Sequence, residues 1–63
     1  MKIKMLTDLR AYDFNLIKDK EYEVTYFDNE VIYVLDENKI TVGIDLQCEN
    51  INFIFLNDNE NVN

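Results

Sequence analysis

Three sets of residues in this 63-residue chain carry groups that could do chemistry: one cysteine, thirteen carboxylates, and six lysines and arginines. Cys48 is the one thiol, and the chain contains neither serine nor histidine. A nucleophilic thiol needs a base or cation to make the thiolate. Glu49, next to Cys48, is an anion that opposes it, so Cys48 reads as an ordinary thiol at a break between strands. The usual Cys/His zinc sites lack their ligands. A calcium loop needs oxygen ligands at regular spacing around a Gly turn, and "DNE" and "DEN" are too short for one. Paired acids can share general acid–base work. Here Asp36-Glu37 and Asp28/Glu30 fall in turn sequences, where solvated acids are common. The expectation is a protein that is not an enzyme and holds no cofactor and no metal.

The carboxylates suggest recognition instead. Residues two apart on one strand face lie about 6.6–6.8 Å apart, close to the separation of neighbouring phosphates along a DNA strand. Glu21 and Glu23 share such a face, and Asp28, Glu30, Asp36, Asp45 and Glu49 extend the array if hairpins gather them. Such an array would let the chain occupy a basic DNA- or RNA-binding groove on another protein. The competing reading is that outward strand positions are charged for solubility and to protect edges.

The elements that must carry these residues are strands. "YEVTYF" sets Tyr22, Val24 and Tyr26 on one face, and "ITVGIDL" sets Ile40, Val42, Ile44 and Leu46 inward, at the period of two. "EVIYVLD" and "INFIFL" are apolar on both faces, and "KIKMLT" makes a short first strand with Ile3 and Met5 inward. Asn and Asp, which bond their own backbone, form turns at Asp28 to Glu30 and at Asp36 to Lys39. The lone glycine, Gly43, sits inside a strand pattern and could mark a bend. "QCEN" is a break suited to one 3-10 turn.

These signals predict five antiparallel strands near residues 2–7, 21–28, 30–36, 39–46 and 51–56, with a long connection over 8–20. That is the plan of an all-β, five-stranded antiparallel SH3-like small barrel over residues 1–57, followed by a polar, disordered tail at 58–63. Val24, Tyr33, Val42 and Phe53 are the expected core. Phe27, Ile32, Val34, Ile54 and Leu56 then lie opposite it. Such a surplus of apolar positions implies a docking surface or a homodimer. A single bulge that moves one strand's face would also account for it.

The net charge is −7, and residues 21–63 hold ten acids against one base, Lys39. That sign opposes direct binding to nucleic acid or to an anionic membrane and favours a basic protein partner. The five remaining bases, Lys2, Lys4, Arg10, Lys18 and Lys20, are the one footing for a nucleic-acid-binding Sm- or OB-like barrel. The longest apolar run, Val31 to Leu35, is far short of the roughly 20 residues a spanning helix needs. With no export signal and a lone Cys, the expected location is the cytoplasm.

Ala11-Tyr12-Asp13-Phe14 resembles part of the Ala-Leu-Tyr-Asp-Tyr signature of SH3 domains. The tryptophan pair and the Pro-x-x-Tyr of the peptide-binding members are absent, since the chain has no Trp and no Pro. Tyr12 and Phe14 are therefore expected to pack the long connection onto the barrel. A broader resemblance spans residues 18–56: "KDKEYEV", "VIYVLDENKITVGIDL" and "INFIFL" look like the turn and core pattern of small SH3-like proteins of Gram-positive bacteria and their phages. Asp19 and Asn38 stand where that pattern has glycine. The resemblance implies a phage or mobile-element protein in the host cytoplasm, a non-enzymatic binding module. Its further implication is an inhibitor of a host nucleic-acid enzyme or defence system, of the anti-CRISPR or anti-restriction kind. The alternative within the same fold is a dimerising scaffold protein. The candidate partner-binding residues are Glu21, Glu23, Asp28, Glu30, Asp36, Asp45, Phe27, Ile32 and Val34.

Overall fold

The computed structural model describes residues 1–56. Residue 57 of the expected barrel and the expected 58–63 tail lie outside them. Seven strands run in chain order: β1 (Lys2–Met5), β2 (Leu9–Arg10), β3 (Asn15–Leu16), β4 (Glu21–Phe27), β5 (Val31–Leu35), β6 (Thr41–Asp45) and β7 (Phe53–Leu56). A 3-10 turn at Leu46–Cys48 fills the expected break. Five strands form one antiparallel sheet in the order β6-β5-β4-β1-β7, and β2 and β3 form a separate hairpin inside the long connection. The five expected strands are all present, with ends trimmed by at most one residue, except at the start of β6 and β7 and the end of β1, where two are lost. Among the described residues the sheet stays open, with β6 and β7 as its edges.

The hairpin registers follow from turn chemistry. Between β5 and β6 the loop is Glu37-Asn38-Lys39, with the Lys39 N–H donating to the Asp36 carbonyl at 2.9 Å and the Asp36 N–H donating to the Ile40 carbonyl at 3.0 Å. Lys39 lies in the left-handed region, at φ 65°. A type I turn followed by one such residue is the usual three-residue hairpin. It sets Val34 opposite Val42 and Ile32 opposite Ile44, so all four must share one face.

That face is the core. Ile32 and Val34 have 0% exposure, and they pack with Ile3, Met5, Leu16, Tyr22, Val42, Ile44 and Phe53. This corrects the expected faces of β5: Ile32 and Val34 are interior, and Tyr33 is half-buried on the outer side. A bulge causes a second correction. Val24 pairs with Val34 but Tyr26 pairs with Tyr33, leaving Thr25 as the extra residue. Its hydroxyl donates to the Tyr33 carbonyl at 3.2 Å. Past that point the faces of β4 exchange. Tyr22 and Val24 point inward, whereas Tyr26 is 64% exposed, its ring 5.8 Å from that of Tyr33. Ile40, expected inward, is exposed. Val42 and Phe53 are core as expected, and Val24 packs against them half-buried.

The connection over 8–20 is tied down by backbone donors. Lys18 N–H donates to Asp8 Oδ1 at 2.7 Å, and Ile17 N–H donates to the Tyr22 hydroxyl at 2.9 Å. Phe14 packs against the core from this hairpin, but Tyr12, at its tip, is fully exposed rather than packed. No helix among the described residues is long and apolar enough to cross a membrane.

Candidate functional site

The fate of the acids is decided by composition. With no proline and one glycine, the chain must stabilise its turns with side chains, and it uses aspartates. Asp28 Oδ1 accepts the N–H groups of Glu30 and Val31, each at 2.9 Å, closing the β4–β5 turn. Those two donors hold the Asp28 carboxyl below the usual carboxylate range. Asp45 Oδ1 accepts the Gln47 N–H at 2.8 Å and caps the 3-10 turn. Asp36, expected on the surface, is instead 5% exposed. Its Oδ1 accepts the N–H of Asn38 at 2.8 Å and of Ile40 at 2.9 Å, and its Oδ2 accepts the N–H of Asn15 at 3.3 Å. That last bond fastens the β2–β3 hairpin to the β5–β6 turn.

The strand-face acids are compensated. Glu21 and Glu23 stand directly opposite Lys4 and Lys2 in the β4–β1 register, and Glu23 also lies 3.4 Å from the N-terminal amine. Lys20 Nζ meets Glu37 Oε2 at 2.8 Å, which raises the Lys20 pKa, and Arg10 lies 3.7 Å from Asp8. Four of the five bases in the first third therefore stand beside an acid. The acids do not gather into one array either. Asp28 and Glu30 sit at one end of β5 and Asp36 at the other, and five extended residues span roughly 17 Å. Among the described residues no three Asp, Glu or Cys side chains come together closely enough to hold a metal ion.

What remains is the end of the sheet at the β4–β5 turn. A cleft of about 220 Å³ is lined there by Met1, Phe27, Asp28, Ile32, Leu46 and Phe55. Phe27 is 53% exposed because it follows the bulge and stands at the last pair of the β4–β5 ladder, against Ile32. Its expected exposure is thus met, while Ile32 contributes only to the floor and Val34 is away from the surface. Asp28 borders the cleft, and Leu46 links it to a second depression lined by Glu30 and Asp45, where the Leu46 N–H donates to the Glu30 carbonyl at 2.8 Å. The arrangement is a small apolar depression bordered by Asp28, with two more acids in the depression beside it. Sequence reasoning missed Met1, Leu46 and Phe55. Leu46 carried a signal, as the last inward position of "ITVGIDL"; Met1 and Phe55 carried none.

A second apolar feature lies on the outer face of β4, β5 and β6. Tyr26 and Tyr33 pair there, with Val31 and Leu35 half-buried along β5. Gly43 faces them. A Cβ on Gly43 would stand 3.2 Å from Tyr33 Cε1 and 3.3 Å from Val31 Cγ1. The glycine serves close approach, and its φ is not in the left-handed region.

No family model, no curated protein and no solved structure matches this chain.

Proposed function

We propose that the chain is a non-enzymatic protein-binding module, built on an SH3-like small barrel, that docks on a basic surface of another protein. The docking end is the one at the β4–β5 turn. One observation carries the reading: the apolar cleft under Phe27 is bordered by Asp28 and adjoins, through Leu46, a depression lined by Glu30 and Asp45, on a chain of net charge −7. Apolar burial supplies the binding energy in such a site, while the rim charges speed association and select a cationic partner. The SH3-like part of the reading is supported by the strand order β6-β5-β4-β1-β7, the hairpin within the first connection and the 3-10 turn before the last strand. Proteins that bind DNA or RNA present basic surfaces of this kind. Inhibition of a nucleic-acid enzyme or host defence factor by a phage-encoded chain is therefore the role in which the proposal places this module. The mimicry rests on the acids of this one end, not on a strand-face array.

The test is capture from bacterial lysate on the immobilised chain, repeated with Glu30→Lys, Phe27→Ala and, at the opposite end, Glu37→Lys. A partner lost with the first two changes, kept with the third and weakened by salt supports the reading. Labelled DNA or RNA displaced from that partner by this chain establishes the inhibitory role. A partner retained by both Glu30→Lys and Phe27→Ala refutes the cleft.

The outer-face pair of exposed Tyr26 and half-buried Tyr33 favours a second reading, a dimerising scaffold joined through that face. Sedimentation equilibrium tests it: a mass fixed at the 7.6 kDa of one chain up to high concentration excludes it.

A further inference from the structure

The cleft uses side chains, but the sheet also presents backbone. The β5–β6 ladder has Val31 opposite Asp45, Ile32 opposite Ile44, Tyr33 opposite Gly43, Val34 opposite Val42 and Leu35 opposite Thr41. Its ends are fixed by two bonds, Asp36 N–H to the Ile40 carbonyl and Leu46 N–H to the Glu30 carbonyl. In an antiparallel ladder, hydrogen-bonded and non-bonded pairs alternate. The even-numbered residues of β6, Val42 and Ile44, therefore bond to β5. The N–H and C=O groups of Thr41, Gly43 and Asp45 point the other way, off the free edge. All three residues are exposed, and among the described residues none of these outward groups has a partner.

Sheet edges of this kind are usually blunted by lysine, proline or a bulge, because they template pairing with another chain. β6 has none of these: its sequence is Thr-Val-Gly-Ile-Asp, in regular register with β5. Its centre is the chain's one glycine, exposed, with Tyr33 leaning over it.

We infer that the β6 edge receives an extended segment of a partner protein as a sixth strand, and that this segment carries arginine or lysine on its outer face. The backbone supplies the first half of the inference, three outward donors and three acceptors at strand spacing, which is what strand addition uses. Charge supplies the second. Asp45 stands at the end of the edge, on a chain whose net charge is −7. A cationic side chain opposite Gly43 meets no Cβ and can lie against the ring of Tyr33, in the reach of a cation–π contact. A second copy of this chain is the poorer occupant, since each copy brings a charge of −7. The Phe27 cleft has no residue of β6 in its lining, and the edge shares with the docking end only Asp45 of the depression beside that cleft, so it stands or falls independently of the docking proposed there.

Amide hydrogen exchange read by NMR tests it, with an acetylated, amidated alternating Arg–Val hexapeptide as the probe. In the free protein the amides of Thr41, Gly43 and Asp45 should exchange fast, and those of Val42 and Ile44 slowly. With the peptide at about ten times its Kd, the first three should slow about tenfold, and the latter two should not change. An alternating Glu–Val hexapeptide should do nothing. Thr41→Pro removes one outward donor without touching the β5 ladder, and should abolish the peptide's effect while Val42 and Ile44 stay protected. Glu30→Lys and Phe27→Ala should leave the effect intact, which separates this site from the cleft. Protection of Thr41, Gly43 and Asp45 in the free monomer, protection that grows with protein concentration alone, or no response to the Arg–Val peptide would each overturn the inference.

Discussion

Asp36 discriminates most sharply between an acid placed for recognition and one placed for folding. Its carboxylate holds three backbone N–H groups, those of Asn38, Ile40 and Asn15. Asp36→Ala leaves all three without that acceptor. A hydrogen bond contributes about 1 kcal/mol net, and more when the acceptor is charged. Residues 37–40 are exposed, so water can reach the released turn donors, which argues for the lower figure. The expected loss is then about 2–3 kcal/mol. A chain of this length has a total stability of roughly 3–9 kcal/mol, so the melting temperature should fall by roughly 10–20 °C. Asp36→Asn keeps one oxygen for Asn38 and Ile40 but turns an NH₂ group toward the Asn15 N–H, and should lose about 1 kcal/mol. Glu37→Ala, in the same turn, is the control, because the exposed Glu37 side chain pairs with the exposed Lys20 and with no backbone donor among the described residues. Urea denaturation followed by circular dichroism gives all three values. The reasoning fails if Asp36→Ala unfolds at the same urea midpoint as Glu37→Ala.

Two further predictions concern backbone and charge. Lys39 occupies the left-handed region at φ 65°, so urea midpoints should rank Lys39→Gly above the parent and the parent above Lys39→Val. The gain with Gly should be about 0.5 kcal/mol, the relief of side-chain crowding less the greater freedom of the unfolded glycine; equal midpoints for Lys and Val would contradict it. Asp28 has a folded-state pKa below its unfolded value, so its contribution is present above the ordinary carboxylate range and lost as pH falls through the folded value. Between pH 7 and pH 2 the parent should therefore lose more stability than Asp28→Asn, and parallel losses would show that the turn bonds to Glu30 and Val31 do not matter.

Most of the strand plan was legible because its signals are local. Alternation fixed "ITVGIDL", and Asp and Asn marked both hairpin turns. What was misread is the face of β5. "EVIYVLD" is apolar on both sides, so its periodicity says nothing about which side is buried. The turn held the missing information. A three-residue loop with Lys39 left-handed puts Asp36 opposite Ile40, and from there the clear alternation of β6 dictates that Val34 and Ile32 face inward. The left-handed residues of the two loops, Asp19 at φ 72° and Lys39 at φ 65°, are not the glycines that usually mark such positions. The bulge at Thr25 left no mark in the sequence, and it alone moves Tyr26 outward. The 8–20 connection hid its β2–β3 hairpin because two-residue strands are too short to show a period.

The acids were harder to read for a different reason. The same carboxylate at the same strand end can cap a turn or meet a partner, and type and spacing do not distinguish the two. Geometry does. Asp28, Asp36 and Asp45 are held by backbone donors, so reversing their charge tests folding before it tests binding. Glu21 and Glu23 lie opposite lysines, so reversing them exchanges one local imbalance for another. Of the six acids among the candidate partner-binding residues, Glu30 alone is exposed with its side chain taking no part in a turn cap or an opposed lysine pair. A single reversal there alters the field at the cleft while leaving the turn bonds of Asp28 in place. This is why Glu30→Lys, rather than the removal of many acids together, separates an acidic surface that only keeps the chain soluble from one that selects a basic partner: if binding is indifferent to Glu30, the charge of this end serves solubility, and recognition must reside in Phe27 or in the edge of β6.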